Sequence, residues 1–146
     1  MGLFDIFKRT TTEIKSDVEI KQPKSEDELI EELTTAILKR SFLDKFGNTT
    51  FEVLESENIF FKELVKQVVA EKLQPRYLHF NLMSIKDYYV YYGTYPIGRI
   101  KLRGRKTHMQ VLKGTFGIKH YENLTLEEYM SYIPDWIRRI KYCLRN

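Results

Sequence analysis

DYYVYYGTYPIGRIKLRGRKTHMQVLK, residues 87–113, predicts two consecutive β-hairpins. Tyr88, Tyr89, Val90, Tyr91 and Tyr92 suit a pleated, half-buried surface, and the run stops at Gly93, Thr94, Tyr95 and Pro96, where a turn is expected. A new strand starts at Ile97 and alternates, with Arg99, Lys101 and Arg103 on one side and Ile100 and Leu102 on the other. A two-residue turn at Gly104 and Arg105 sets Arg103 opposite Lys106, Lys101 opposite His108 and Ile100 opposite Met109. One face then collects Ile100, Leu102, Met109 and Val111. The other collects Arg99, Lys101, Arg103, Lys106, His108 and Gln110, so the hairpin is apolar below and basic above.

Working outward, residues 76–83 alternate in the same way, with Leu78, Phe80 and Leu82 on one side and Tyr77, His79, Asn81 and Met83 on the other. This is the first strand, joined to the hairpins by a tight turn near Lys86. Upstream, Ser25 and Glu28 form a capping box for a helix ending near Leu43, with Leu29, Ile30, Leu33, Ile37 and Arg40 along one side. The stretch Thr49–Glu55 suits a helical turn or a short strand equally. A second helix covers Asn58–Leu73, with Phe61, Leu64, Val65, Val68 and Val69 as its apolar stripe. After Lys113 a loop containing Gly114 and Gly117 leads to a second capping box, Thr125 with Glu128. The last helix carries Leu126, Tyr129, Met130, Ile133, Ile137, Ile140 and Leu144 on one stripe, flanked by Trp136, and is kinked at Pro134.

The expected architecture is α+β: two N-terminal helices, a four-stranded antiparallel β-meander and a Pro-kinked C-terminal helix. Residues 25–146 form one domain, and residues 1–24 an amphipathic N-terminal nub followed by a flexible linker. Within that nub, MGLFDIFKR gathers Leu3, Phe4, Ile6 and Phe7 on one side. Its GLFDIFK resembles, over seven residues, the start of the aureins, a family of amphibian antimicrobial peptides. Weak membrane contact is the property an apolar tip of this kind would add.

Charge is unevenly spread over the 146 residues, whose net charge is +4. Residues 25–56 hold eight acidic and three basic side chains, whereas 76–121 hold nine basic and one acidic, and all ten tyrosines lie in the later half. This asymmetry points to a polyanionic partner, or an acidic partner surface, for the later half. The single cysteine, Cys143, cannot build an intramolecular disulfide framework and fits a reducing compartment. With no membrane-length apolar run and no signal-peptide pattern, a cytoplasmic location is expected.

Several chemistries lack their residues. His79, His108 and His120 pair neither with one another nor with Cys143 at metal-ligand spacing, and the glycines punctuate strands instead of opening a helix, so neither metal nor cofactor is expected. The order helix, antiparallel strands, helix is similar to the core of the restriction-endonuclease-like fold. Metal-dependent cleavage needs carboxylates around the scissile phosphate, however, and the strands offer only Asp87. The same order resembles the double-stranded-RNA-binding domain, in which lysines open the last helix; here Glu127 and Glu128 stand there.

The expected function is therefore that of a small non-enzymatic accessory protein whose basic, tyrosine-rich sheet face binds nucleic acid. Arg99, Lys101, Arg103, Arg105, Lys106 and His108 would meet the polyanion, and tyrosine stacking would favour single strands. The alternative is a protein-interaction module for an acidic partner, tethered to a membrane through the N-terminal segment.

Overall fold

The computed structural model describes residues 25–46 and 53–145, so the nub and linker assigned to residues 1–24 lie outside the described residues. Two helices, α1 (Glu26–Phe46) and α2 (Glu55–Ala70), precede a single 3-10 turn at Pro75–Tyr77. Strands β1 (Leu78–Leu82), β2 (Tyr88–Tyr92), β3 (Tyr95–Lys101), β4 (His108–Lys113) and β5 (Gly117–Glu122) follow, and α3 (Leu126–Met130) and α4 (Ile133–Arg145) end the chain. The strands form an antiparallel meander in sequence order.

The sheet thus has five strands, where four were expected. The stretch read as a glycine loop is itself a hairpin: Gly114 adopts φ +55°, and Lys113 pairs with Gly117, so three residues turn the chain. β5 then runs antiparallel to β4 as far as His108 opposite Glu122. Its alternation was present in GIKHYE but is nearly all polar, because most of this edge strand stays exposed.

The register predicted for the central hairpin is observed, with Ile100 opposite Met109 and Lys101 opposite His108. The turn is different. The ladder stops at that last pair, and Leu102–Thr107 form a six-residue loop in place of a two-residue turn at Gly104 and Arg105. Two tertiary anchors hold the loop open. Arg103 reaches the buried Glu57 of α2, and the Thr107 hydroxyl bonds to the Tyr129 hydroxyl at 2.8 Å. At the other end of β3, the strand starts at Tyr95 directly after a tight Gly93-Thr94 turn, Gly93 having φ +63°. A bulge then shifts the register: Tyr91 faces Pro96 whereas Val90 faces Gly98, leaving Ile97 as the extra, fully buried residue.

Both predicted capping boxes form. The Glu28 amide donates to Ser25 Oγ at 3.2 Å and the Ser25 amide to Glu28 Oε1 at 3.1 Å; the Thr125 and Glu128 pair repeats this at 3.1 and 2.9 Å. The buried side of α1 differs from the predicted stripe. Ile30, Thr34, Ile37, Leu38 and Ser41 are buried, while Leu29 and Leu33 are exposed. The reason is where α1 sits, along the outer edge of β1. Ser41 Oγ accepts from the Phe80 amide at 3.1 Å, and the Arg40 guanidinium donates to the Leu78 carbonyl at 2.9 Å, so the helix satisfies a strand edge that would otherwise be open.

The C-terminal segment is bent, but not by Pro134 interrupting one helix. α3 ends at Met130, Ser131 and Tyr132 intervene, and Pro134 takes the second position of α4, where its missing N–H costs no hydrogen bond. Trp136, predicted to flank the stripe, is buried together with Ile133, Ile137 and Ile140, while Leu144 is largely exposed. Trp136 lies fully buried against Phe60, ring centroids 5.4 Å apart and edge-on. Phe61 stacks on Phe80 at 4.2 Å and meets Tyr88 edge-on at 4.9 Å. Aromatic pairs of this kind each add about 0.5–1.5 kcal/mol beyond simple burial. One core results, between the sheet and α1, α2, α3 and α4.

Candidate nucleic-acid interface

With one face of the sheet committed to that core, alternation sends the other residues of each strand to the opposite face. His79 and Asn81 come from β1, Tyr89 and Tyr91 from β2, Arg99 and Lys101 from β3, His108, Gln110 and Leu112 from β4, and Ile118, His120 and Glu122 from β5. None of these is fully buried, and no helix among the described residues packs over them.

A polar network runs across this face. Arg99 Nη1 donates to Tyr89 Oη at 2.6 Å, its guanidinium lies 5.2 Å from the Tyr89 ring centroid, and it approaches Asp87 Oδ2 at 3.5 Å. Asp87 stands just before β2 and its side chain is fully buried, yet neither carboxylate oxygen accepts a hydrogen bond. Arg99 is its charged neighbour, and His108 Nε2 lies 4.0 Å away. Burial and the neighbouring Arg99 push the His108 imidazole below its ordinary value, with Asp87 opposing them. The His108 ring stacks on His120 with centroids 5.7 Å apart. His120 is in turn fixed by Gln110 Nε2 at 3.3 Å from Nδ1 and by Glu122 Oε2 at 2.9 Å from Nε2. A neutral His120 with its proton on Nε2 satisfies both contacts.

Between β2, β3 and β4 this face forms an open groove of about 420 Å³, lined by Tyr89, Tyr91, Pro96, Arg99, Gln110, Leu112 and Ile118. It has the composition a base-binding groove needs: flat rings and apolar side chains for stacking, and an amide and a guanidinium for the polar edge. A second groove of about 460 Å³ lies at the sheet end near Tyr77, Tyr92, Tyr95 and Leu144, with Lys72 as its charged residue.

The predicted site residues separate into three groups. Arg99 and His108 lie on the face but are engaged by Asp87. Lys101 lies half-buried at the end of β3, and Arg105 and Lys106 are exposed on the adjoining loop. Arg103 does not belong to the face at all. Its Nε and Nη2 bind Glu57 at 2.7 and 2.9 Å, because the fully buried Glu57 carboxylate needs a counter-charge and the open loop lets the guanidinium turn inward. Ile118, His120 and Glu122 were missed because β5 was read as a loop; the alternation of GIKHYE was the available signal.

Among the described residues no group of three histidine, cysteine or acidic side chains comes together to hold a metal ion, and no helix is long and apolar enough to cross a membrane. What the fold and the face define is an α+β protein with one covered and one open face of an antiparallel sheet. No family model matches the chain, and comparison with curated proteins and with solved structures gives no match.

Proposed function

We propose that this is a non-enzymatic, cytoplasmic accessory protein that binds single-stranded nucleic acid across the open sheet face. The observation that carries this reading is the groove in which Tyr89 and Tyr91 stand beside Gln110 and Arg99. Beyond Arg99, Lys101 ends β3, and Arg105 and Lys106 are exposed on the loop that follows it. Tyrosine rings take unpaired bases without strong sequence preference, and the cations neutralise phosphates. Because Asp87 already balances much of the Arg99 charge, Lys101, Arg105 and Lys106 carry the phosphate contacts. The test is a fluorescence-anisotropy titration with labelled single- and double-stranded RNA and DNA at low and moderate salt. Salt-sensitive binding that favours single strands supports the reading, and no binding by the wild-type protein at low salt removes it.

A second reading, interaction with an acidic protein partner, is favoured by β5. This strand is exposed along nearly its whole length at the sheet edge, with Ile118 57% exposed and Phe116, in the turn just before it, 93% exposed. An extended acidic segment could add there as a sixth strand, with Lys119 beside it. Membrane contact through residues 1–24 lies outside the described residues.

A further inference from the structure

Where the β4–β5 turn meets α4, Lys113, Arg138, Arg139 and Arg145 line a pocket of about 260 Å³. Asp135 is the one acidic residue in its lining, and Arg138 already pairs with it. Cations in the last turn of a helix ordinarily serve the helix dipole. Here that accounts for Arg145 but not for Arg138 and Arg139, two turns earlier. Arg139 is held in place: its Nη1 donates to the Gly114 carbonyl at 2.6 Å, its guanidinium lies 5.4 Å from the Tyr142 ring centroid, and its Nε is buried with no hydrogen-bond partner. An arginine guanidinium held in place beside further cations suits recognition of a phosphate group.

The pocket lies on the helix side of the sheet and borders the open-face groove at the end of β4, where Leu112 lines both. We infer that it is a second phosphate site, taking the backbone of the nucleic-acid strand whose bases occupy the sheet groove. This rests on the proposed function and extends it: the strand would run from Lys101, Arg105 and Lys106, across Tyr89 and Tyr91, and then bend round the end of the sheet at Leu112 to Lys113 and Arg145 on the helix side. A concave cationic pocket joined to an aromatic groove suits a phosphodiester chain better than a flat lipid surface.

The experiment compares a short single-stranded oligonucleotide, sized to the groove, with one several nucleotides longer, on the full chain and on Lys113→Glu/Arg145→Glu. Both side chains are exposed and carry no core contact. Lys113→Gln/Arg145→Gln serves if the reversal perturbs folding. The expected result is about a tenfold or greater loss for the longer strand at moderate salt, with the short strand nearly unaffected. Equal affinity of wild type and variant for the longer strand overturns the inference while leaving the groove reading intact, as does an equal loss for both lengths. No binding of either length by the wild-type protein removes both. Co-sedimentation with phosphatidylglycerol vesicles is the remaining arm: vesicle binding lost in the variant while longer-strand affinity is unchanged would assign the pocket to a membrane and overturn the inference.

Discussion

Arg103 and Glu57, 46 residues apart in sequence, form a bidentate ion pair with Nε 2.7 Å from Oε2 and Nη2 2.9 Å from Oε1. The Glu57 side chain is fully buried and also accepts from the Tyr88 hydroxyl at 3.1 Å and from the Leu54 amide at 3.0 Å, so it caps α2 and ties helix, strand and loop together. Glu57 holds the Arg103 guanidinium above its usual range, and burial with the same carboxylate pushes the Tyr88 phenol well up.

Removing one partner strands the other. Arg103→Ala should destabilise the fold by about 3 kcal/mol, the lower end for a broken buried pair because the guanidinium is partly exposed. Tyr88→Phe should cost about 1 kcal/mol. Urea denaturation measures both. A change within 0.5 kcal/mol for Arg103→Ala would show that the pair does not hold the loop.

Gly98→Ala should destabilise severely. A Cβ there would stand 2.1 Å from the Gln110 carbonyl oxygen and 2.5 Å from Trp136 Nε1, which itself donates to that carbonyl at 2.9 Å. The strand and the indole cannot both stay in place. Thermal unfolding should show a drop of many degrees, whereas Gly93→Asn, at a positive φ that asparagine tolerates and with open space around it, should be mild.

His108 should make stability fall in acid. Its folded-state value lies below the ordinary 6.5, so between the two values the unfolded chain binds the proton that the folded chain refuses. Its contribution is fully present above about 6.5 and declines as pH falls toward the folded-state value. Denaturant midpoints from pH 7.5 to 5 on wild type and His108→Gln check this. The variant should show a flatter profile, and parallel profiles would assign the acid sensitivity elsewhere.

For the open face, Lys101→Glu/Arg105→Glu/Lys106→Glu should abolish salt-sensitive binding while leaving the protein folded. Charge neutralisation at the same positions should reduce the salt slope by about 2 if all three meet phosphates. Tyr91→Ala should lower single-strand affinity by about 1–3 kcal/mol with little change in salt slope, since stacking releases no counterions. Anisotropy titrations at several salt concentrations separate these effects. Ile100→Asp should unfold the protein, by placing an unpaired charge where Ile100 is fully buried.

Much of the architecture was legible because its causes are local. The capping boxes at Ser25 and Thr125 close within three residues. The pairing of Ile100 with Met109 follows from alternation and spacing, even though the turn between them takes another form. The face predicted to be basic was harder. Alternation placed Arg99 and Lys101 correctly but carried no information on Asp87, whose buried carboxylate pairs with Arg99 and lies beside His108.

What the sequence by itself determined was therefore the two N-terminal helices, the order of the first four strands, and the register and apolar side of the central hairpin, all set by periodicity and near-neighbour chemistry. Only the tertiary structure decided which arginine leaves the face, which side of α1 is buried, and that Trp136 enters the core. Arg103 turns to Glu57, and Ser41 to the Phe80 amide, because a buried carboxylate and a strand-edge amide must be satisfied by whatever donor or acceptor the fold brings near. Those partners lie 46 and 39 residues away, beyond the reach of any repeating pattern along the chain.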